Sequence, residues 1–271
     1  MKKSNPKKIT KDTSDYSDIS RRIKPVETLP FSLTLVTYGR PGTGKTTFAA
    51  TFPKPILLLN VKEDGTDSIS DVKGVDIVRV NTWDEFEQTY WYLKTGKHKY
   101  RTIVIDAVTQ LQDLAIEKHR EGRPDDEVIS QRIWGQVSGM MKKWLIDYRD
   151  LVNGGSVEAV NFICHDRVHD TADAGNGQLD PEVGPRLMPS VAGHLCGAVK
   201  VIGYTFISVK KQKDPTKKSK RTEVEYRMRL GPHPYYTTKV RQPKTSFTPD
   251  SIVNPNYDKI VQIMKGEYKQ K

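Results

Sequence analysis

Apolar residues in this chain cluster in short runs separated by polar stretches of helical length. FSLTLVTY (31–38), PILLLN (55–60), VDIVRV (75–80), TIVIDAV (102–108) and AVNFIC (159–164) are each of strand length and rich in β-branched residues. Near-continuous runs such as PILLLN, with little polar alternation, predict strands buried on both faces. KTTFAATF (45–52) predicts a helix that ends before Pro53. Asn81 or Thr82 can cap a helix running through Leu93, with Glu85 placed for a capping box with Thr82. Two further helices are expected at 108–120 and 130–151. Strands alternating with helices in this way predict an α/β fold, with a mainly parallel central sheet flanked by helices.

The pattern changes after residue 165. Residues 166–190 are rich in Gly, Pro and Asp and predict a long loop. A short helix is expected at 190–197. AVKVIGYTFISV (198–209) and TEVEYRMRL (222–230) alternate and flank KKQKDPTKKSKR (210–221), which predicts a C-terminal antiparallel β-hairpin with a basic tip. Residues 1–24 are polar without aliphatic periodicity and read as a disordered basic arm. That leaves 25–271 as one domain, including the hairpin near 198–230 and the tail 243–271.

Charge adds a partner class. Lys plus Arg exceeds Asp plus Glu by 11 among 271 residues, a surplus that suits an anionic partner, most often nucleic acid. No apolar run nears the roughly 18 residues of a membrane helix, and the basic N-terminus lacks a signal-type apolar core. Cys164 and Cys196 give neither a disulfide framework nor a zinc spacing, so a reducing cytoplasm, the cell's own or an infected host's, is expected.

The chemistry is concentrated in GRPGTGKT, Gly39 to Thr46, which fits G-x-x-x-x-G-K-[ST] between a predicted strand and a predicted helix. Gly39, Gly42 and Gly44 permit the tight turn that brings bare N–H groups to phosphate oxygens. Arg40, Pro41, Thr43 and Thr47 complete the cradle. Lys45 would reach the β- and γ-phosphates of ATP, and the Thr46 hydroxyl would bind Mg²⁺. A second Mg²⁺ carboxylate is expected from Asp106, which ends the buried TIVID run and has no role as an unpaired core residue.

These blocks, TYGRPGTGKTTFAATFPKPILLLNVKEDGTDS and YRTIVIDAVTQL, with RIWGQV (132–137), NFICHD and GPRLMPSVAG as looser matches, resemble the phage-type RecA-like P-loop ATPases. These include single-strand annealing recombinases with a minimal RecA core, close to phage nucleotide-binding AAA-type families. The resemblance runs from about Ser32 to about Gly266. It implies ATP binding and hydrolysis, single-stranded DNA binding and a role in phage recombination or replication, with a single-strand binding or replication protein as a further partner. It also implies a homo-oligomer with ATP between subunits. In the RecA class the residue that orients water ends the strand after the P-loop helix, which selects Glu63, with Asp64 second. In the AAA+ class it follows the strand-end Asp, where this chain has Ala107. His165, at the tip of the fourth buried strand, would sense the γ-phosphate. Lys239 and Arg241, in TTKVRQ, would reach a neighbouring subunit's nucleotide.

DNA contacts are expected from the basic turn, Lys210, Lys211, Lys213, Lys217, Lys218, Lys220 and Arg221, through its charge. Arg167 and Arg186 join this set through the resemblance alone, because acids outnumber them in 166–190. Two other uses of a P-loop stay open: an accessory AAA-type ATPase or helicase loader acting on a protein, and a small-molecule kinase.

Overall fold

The computed structural model describes residues 17–120, 128–155, 157–171, 180–213, 220–244 and 246–269. The chain divides into two units, Met1–Phe31 and Ser32–Lys271. In the first, the described residues form a short helix, α1 (Ser17–Arg22), and a 3-10 turn (Val26–Thr28). Residues 1–16 of the expected basic arm lie outside the described residues.

The second unit carries the fold. Its strands are β1 (Leu33–Gly39), β2 (Ile56–Val61), β3 (Val75–Val80), β4 (Thr102–Asp106), β5 (Ala159–Cys164), β6 (Asp166–Thr171), β7 (Asp180–Pro185), β8 (Val201–Lys213), β9 (Lys220–Arg229), β10 (Lys239–Val240) and β11 (Ser251–Val253). Its helices are α2 (Lys45–Ala49), α3 (Trp83–Thr95), α4 (Val108–Arg120), α5 (Gln131–Arg149), α6 (Pro189–Ala198) and α7 (Tyr257–Lys265). The main sheet runs β11-β9-β8-β1-β5-β4-β2-β3, with β10 also on β8. From β8 to β3 every pairing on that path is parallel, while β9, β10 and β11 pair antiparallel. This is an α/β fold with a mixed, mostly parallel central sheet.

The strand sequences explain the layering. All residues of β1, β2, β4 and β5 are buried, as near-continuous apolar runs require. Their pleat sends alternate side chains to opposite faces. Val36, Tyr38, Ile103, Ile105 and Phe162 pack in one core with residues of α3, α4, α5 and α6. Leu35, Leu58, Val104 and Ile163 pack in the other with Phe48 of α2 and Ile260 and Ile263 of α7. On α3 the capping box of Thr82 and Glu85 forms as expected. Of that helix's aromatic cluster, Trp83 and Tyr90 are core residues, whereas Trp91 and Tyr92 are exposed. Phe86 stacks on Tyr148 of α5 with ring centroids 4.5 Å apart, and the Tyr148 hydroxyl donates to the Phe86 carbonyl. Trp144 is buried beside them, while Trp134 is exposed.

The structure departs from the expected pattern in three places. Residues 166–190 are not an irregular loop: β6 and β7 form an antiparallel ribbon, with 172–179 outside the described residues. Its prolines are tolerated because a two-stranded ribbon has free edges, and β7 is braced by Val183, which exchanges backbone hydrogen bonds with Tyr235 and Thr237. The β8–β9 hairpin is not a separate extension, because β8 pairs with β1 from Leu35↔Val201 to Gly39↔Thr205. Only the residues of β8 beyond Thr205 overhang β1. Finally, the tail contains α7, capped by Asn256, whose side chain accepts from the Lys259 N–H. Ile260, Ile263 and Met264 sit at helical spacing and close the second core. Cys164 and Cys196 are free thiols. Among the described residues no helix is long and apolar enough to cross a membrane.

Candidate nucleotide site

β1, an interior strand, delivers the chain to Gly39 at its C-terminal end, residues 40–44 form the loop, and α2 begins at Lys45. Gly42 and Gly44 hold φ of +77° and +83°, a region that disfavours side chains. Gly39 is needed for a different reason: a Cβ there would collide with the carbonyl and hydroxyl of Thr205 on β8. Thr205 therefore backs the loop. Its hydroxyl lies 2.7 Å from that of Thr43, which also donates to the Arg40 carbonyl at 2.8 Å. Gly39→Ala is expected to destabilise the fold by about 1–3 kcal/mol, because neither partner is the free end of a flexible chain. A urea titration checks it; an unchanged midpoint would mean the loop has room to shift.

Two functional pairs form across the loop. The Lys45 ammonium donates to the carbonyls of Gly39 and Arg40, each at 2.9 Å. Burial pushes its pKa below the usual lysine value, and the nearby Asp106 charge opposes that shift. The Thr46 hydroxyl donates to Asp106 Oδ2 at 2.7 Å. Burial pushes the Asp106 carboxyl up, against the Thr46 hydrogen bond.

Glu63 and His165 also meet here. Glu63 follows β2, where its N–H donates to Asn60 Oδ1 at 3.1 Å, and Asn60 pairs in register with Asp106. His165 follows β5, which lies between β1 and β4, and its N–H donates to Thr109 Oγ1 at 3.0 Å. His165 Nε2 stands 3.0 Å from Glu63 Oε1, yet that oxygen has no partner in hydrogen-bond geometry. We read the contact as electrostatic proximity rather than a formed hydrogen bond. Asp64 is exposed and precedes a 3-10 turn (Gly65–Ile69).

A cavity of about 640 Å³ joins these groups, lined by loop residues 41–47 and by Glu63, Asp106 and His165. Gly39 and Arg40 lie outside its lining; Gly39 is buried behind the loop and Arg40 is exposed. The lining also includes Thr51, Ser68, Tyr226, Asn254 and Pro255, which sequence reasoning missed. One signal was available: alternation in TEVEYRMRL puts Val224, Tyr226 and Met228 on one face.

The remaining expected residues lie elsewhere. The Lys239 ammonium donates to the Cys196 and Gly197 carbonyls, and Arg241 donates to Gly197 at 3.0 Å. Within this chain the pair therefore caps the C-terminus of α6, a favourable place for cations. Arg167 and Arg186 are exposed on and just after the β6–β7 ribbon. Lys210 pairs with Glu225 at 2.6 Å. Lys211 and Lys213 belong to β8, and Lys220 and Arg221 to β9. Lys217 and Lys218 lie outside the described residues.

A glycine-bearing turn that leads into a lysine and a threonine, with the threonine hydrogen-bonded to a facing carboxylate, has the residue types suited to a polyphosphate. A search of curated proteins found no match. A family model described as an AAA domain matches residues 32–242, well over half of the chain, from the start of β1 to just beyond β10. That span takes in every strand that shapes the phosphate loop and its carboxylate partner, and the chain belongs to this AAA-domain family of P-loop NTPases.

Proposed function

We propose that this AAA-type protein is a Mg²⁺-dependent ATPase with a RecA-like arrangement that works on single-stranded DNA in phage recombination, annealing or replication. The observation that carries the ATPase reading is the meeting of Glu63 with Lys45, Thr46 and Asp106 in one cavity. Glu63 and Asp106 come from the ends of neighbouring strands, and the residue after Asp106 is Ala107, which has no group to orient water. In this reading Glu63 orients the attacking water. His165, beside Glu63, reports the state of the γ-phosphate to the β6–β7 ribbon that follows it.

The residues fit Mg²⁺. The Thr46 hydroxyl and Asp106 carboxyl are hard oxygen donors 2.7 Å apart, and burial disfavours the charged form of Asp106, which a bound cation would favour. Bound there with ATP, the ion would neutralise charge on the β- and γ-phosphates. Thr46 and Asp106 would hold it, and Lys45 would bind the same phosphates.

The DNA part rests on charge. The net +11 and the lysines of the β8–β9 hairpin suit a phosphate backbone. ATP between copies, reached by Lys239 and Arg241 of a neighbour, belongs to the same proposal and requires those side chains to leave the α6 carbonyls. The test is steady-state ATP hydrolysis with and without single-stranded DNA at two salt concentrations, with Lys45→Ala as the blank. Turnover should rise with DNA, and the rise should fade with salt. Hydrolysis indifferent to DNA would overturn the DNA reading and leave the ATPase.

One observation favours a second reading, an accessory ATPase or loader with a protein partner. Ile207, Val209, Val224 and Tyr226 are all exposed on one face of the β8–β9 hairpin, with Ile207 opposite Tyr226 and Val209 opposite Val224. An apolar face of that kind suits protein better than a phosphate backbone.

A further inference from the structure

The nucleotide cavity has two ends, and the phosphate chemistry uses one of them. Sheet order fixes which. Asp106 and Glu63 come from β4 and β2, on one side of the loop strand β1. Tyr226 comes from β9, on the other side. At about 4.8 Å per strand, β4 and β9 each stand about 10 Å from β1, in opposite directions. A nucleotide whose γ-phosphate faces Asp106 and Glu63 reaches β9 with its base when it extends across the loop along the cavity, which Tyr226 lines.

What waits there has the chemistry of a base site. The Tyr226 ring packs over the loop, with Cδ1 3.3 Å from where a Cβ on Gly44 would stand. Tyr226 is 44% exposed. Asn254 and Pro255 line the same cavity. They are tied to Tyr226, since the Asn254 N–H donates to the Tyr226 carbonyl at 2.7 Å. The Lys259 ammonium bonds the carbonyls of Val253 and Asn254, at 2.8 and 3.0 Å, and so fixes this short turn. Asn254 holds φ of +45°, a conformation that asparagine tolerates better than most residues. An asparagine side chain carries both a donor and an acceptor, the pair that a base edge can use.

We infer that Tyr226 stacks on the nucleobase, and that the Asn254–Pro255 turn closes the base pocket. The inference rests on the nucleotide reading above and deepens it: the ligand is a nucleoside triphosphate recognised by its base as well as its phosphates. Gly44 then has a second duty, because any side chain there would press on the stacking ring.

Two probes separate the base from the phosphates: MgATP and inorganic tripolyphosphate with Mg²⁺. Both are titrated calorimetrically into the full chain and its variants. Tyr226→Ala should weaken MgATP by about 10-fold or more, the usual worth of stacking one base on an aromatic ring. It should leave tripolyphosphate binding unchanged. Tyr226→Phe keeps the ring and should bind MgATP as the wild type does. The half-exposed position lets both variants fold, which thermal melting checks. The base pocket is overturned if Tyr226→Ala binds MgATP normally, or if it loses both probes equally, which would mean damage to the loop. A wild-type protein that binds neither probe overturns the nucleotide reading itself.

Discussion

Lys45→Ala is expected to weaken MgATP binding by roughly 10²–10⁴-fold and to remove hydrolysis with it. The ammonium is held by two carbonyls of its own loop, 2.9 Å each, in the lining of the cavity. Arriving phosphates offer it a full negative charge in place of those dipoles. Hydrogen bonds to charged groups contribute about 1.5–3 kcal/mol each, so two of them account for that range.

The free protein should respond quite differently. Desolvation by burial disfavours the charged form of Lys45. Its folded pKa lies below the unfolded value, so protonation costs stability at any pH below that folded pKa. Alanine removes this cost but orphans the Gly39 and Arg40 carbonyls. The two effects offset each other to within about 1 kcal/mol. The measurement is a pair of melting curves, with and without MgATP. The variant should melt close to the wild type when both are empty, and only the wild type should gain stability from nucleotide. A variant that is still stabilised by MgATP would show that the loop binds phosphate through its N–H groups alone.

The phosphate loop was legible because its parts are consecutive: a strand, eight residues and a helix, each with a local signature. Asp106 was legible because a carboxylate ending a buried apolar run demands a partner, and Thr46 is that partner. Glu63 and His165 were each placed at the end of a strand, and the parallel sheet brings those ends together. Local pattern could not give the strand order. Nothing in AVKVIGYTF says that it pairs with β1, 166 residues earlier, so Thr205 went unseen behind Gly39. Tyr226 failed for the same reason: its contact is with Gly44, and only the path β1-β8-β9 makes them neighbours. α7 was missed although its signals were present. Asn256 caps it, and Ile260, Ile263 and Met264 have helical spacing, but the helix is short and preceded by prolines. Lys239 and Arg241 were expected, through the resemblance, to reach a neighbouring subunit; within this chain both cations bond carbonyls at the end of α6.

Glu63→Gln is expected to lower kcat for ATP by about 10²–10³-fold while leaving MgATP affinity within about threefold of the wild type. The range is that of a positioned proton acceptor removed from a reaction whose other supports remain. The amide is nearly isosteric, so the cavity keeps its shape, and Lys45, Thr46 and Asp106 keep their contacts. What is lost is the carboxylate that would orient and polarise water beside His165. The contrast with Asp64 sharpens the test. Asp64 is exposed before the 3-10 turn, and Asp64→Asn should leave turnover unchanged. If both variants hydrolyse ATP normally, water is activated elsewhere, and the RecA-type placement of the acceptor is wrong. If Glu63→Gln instead loses MgATP affinity together with kcat, Glu63 holds the ligand rather than the water. Loss of kcat alone would also explain why Ala107 can follow Asp106. With Glu63 entering from the neighbouring strand, the position after Asp106 is free to be apolar, and Ala107 is buried there.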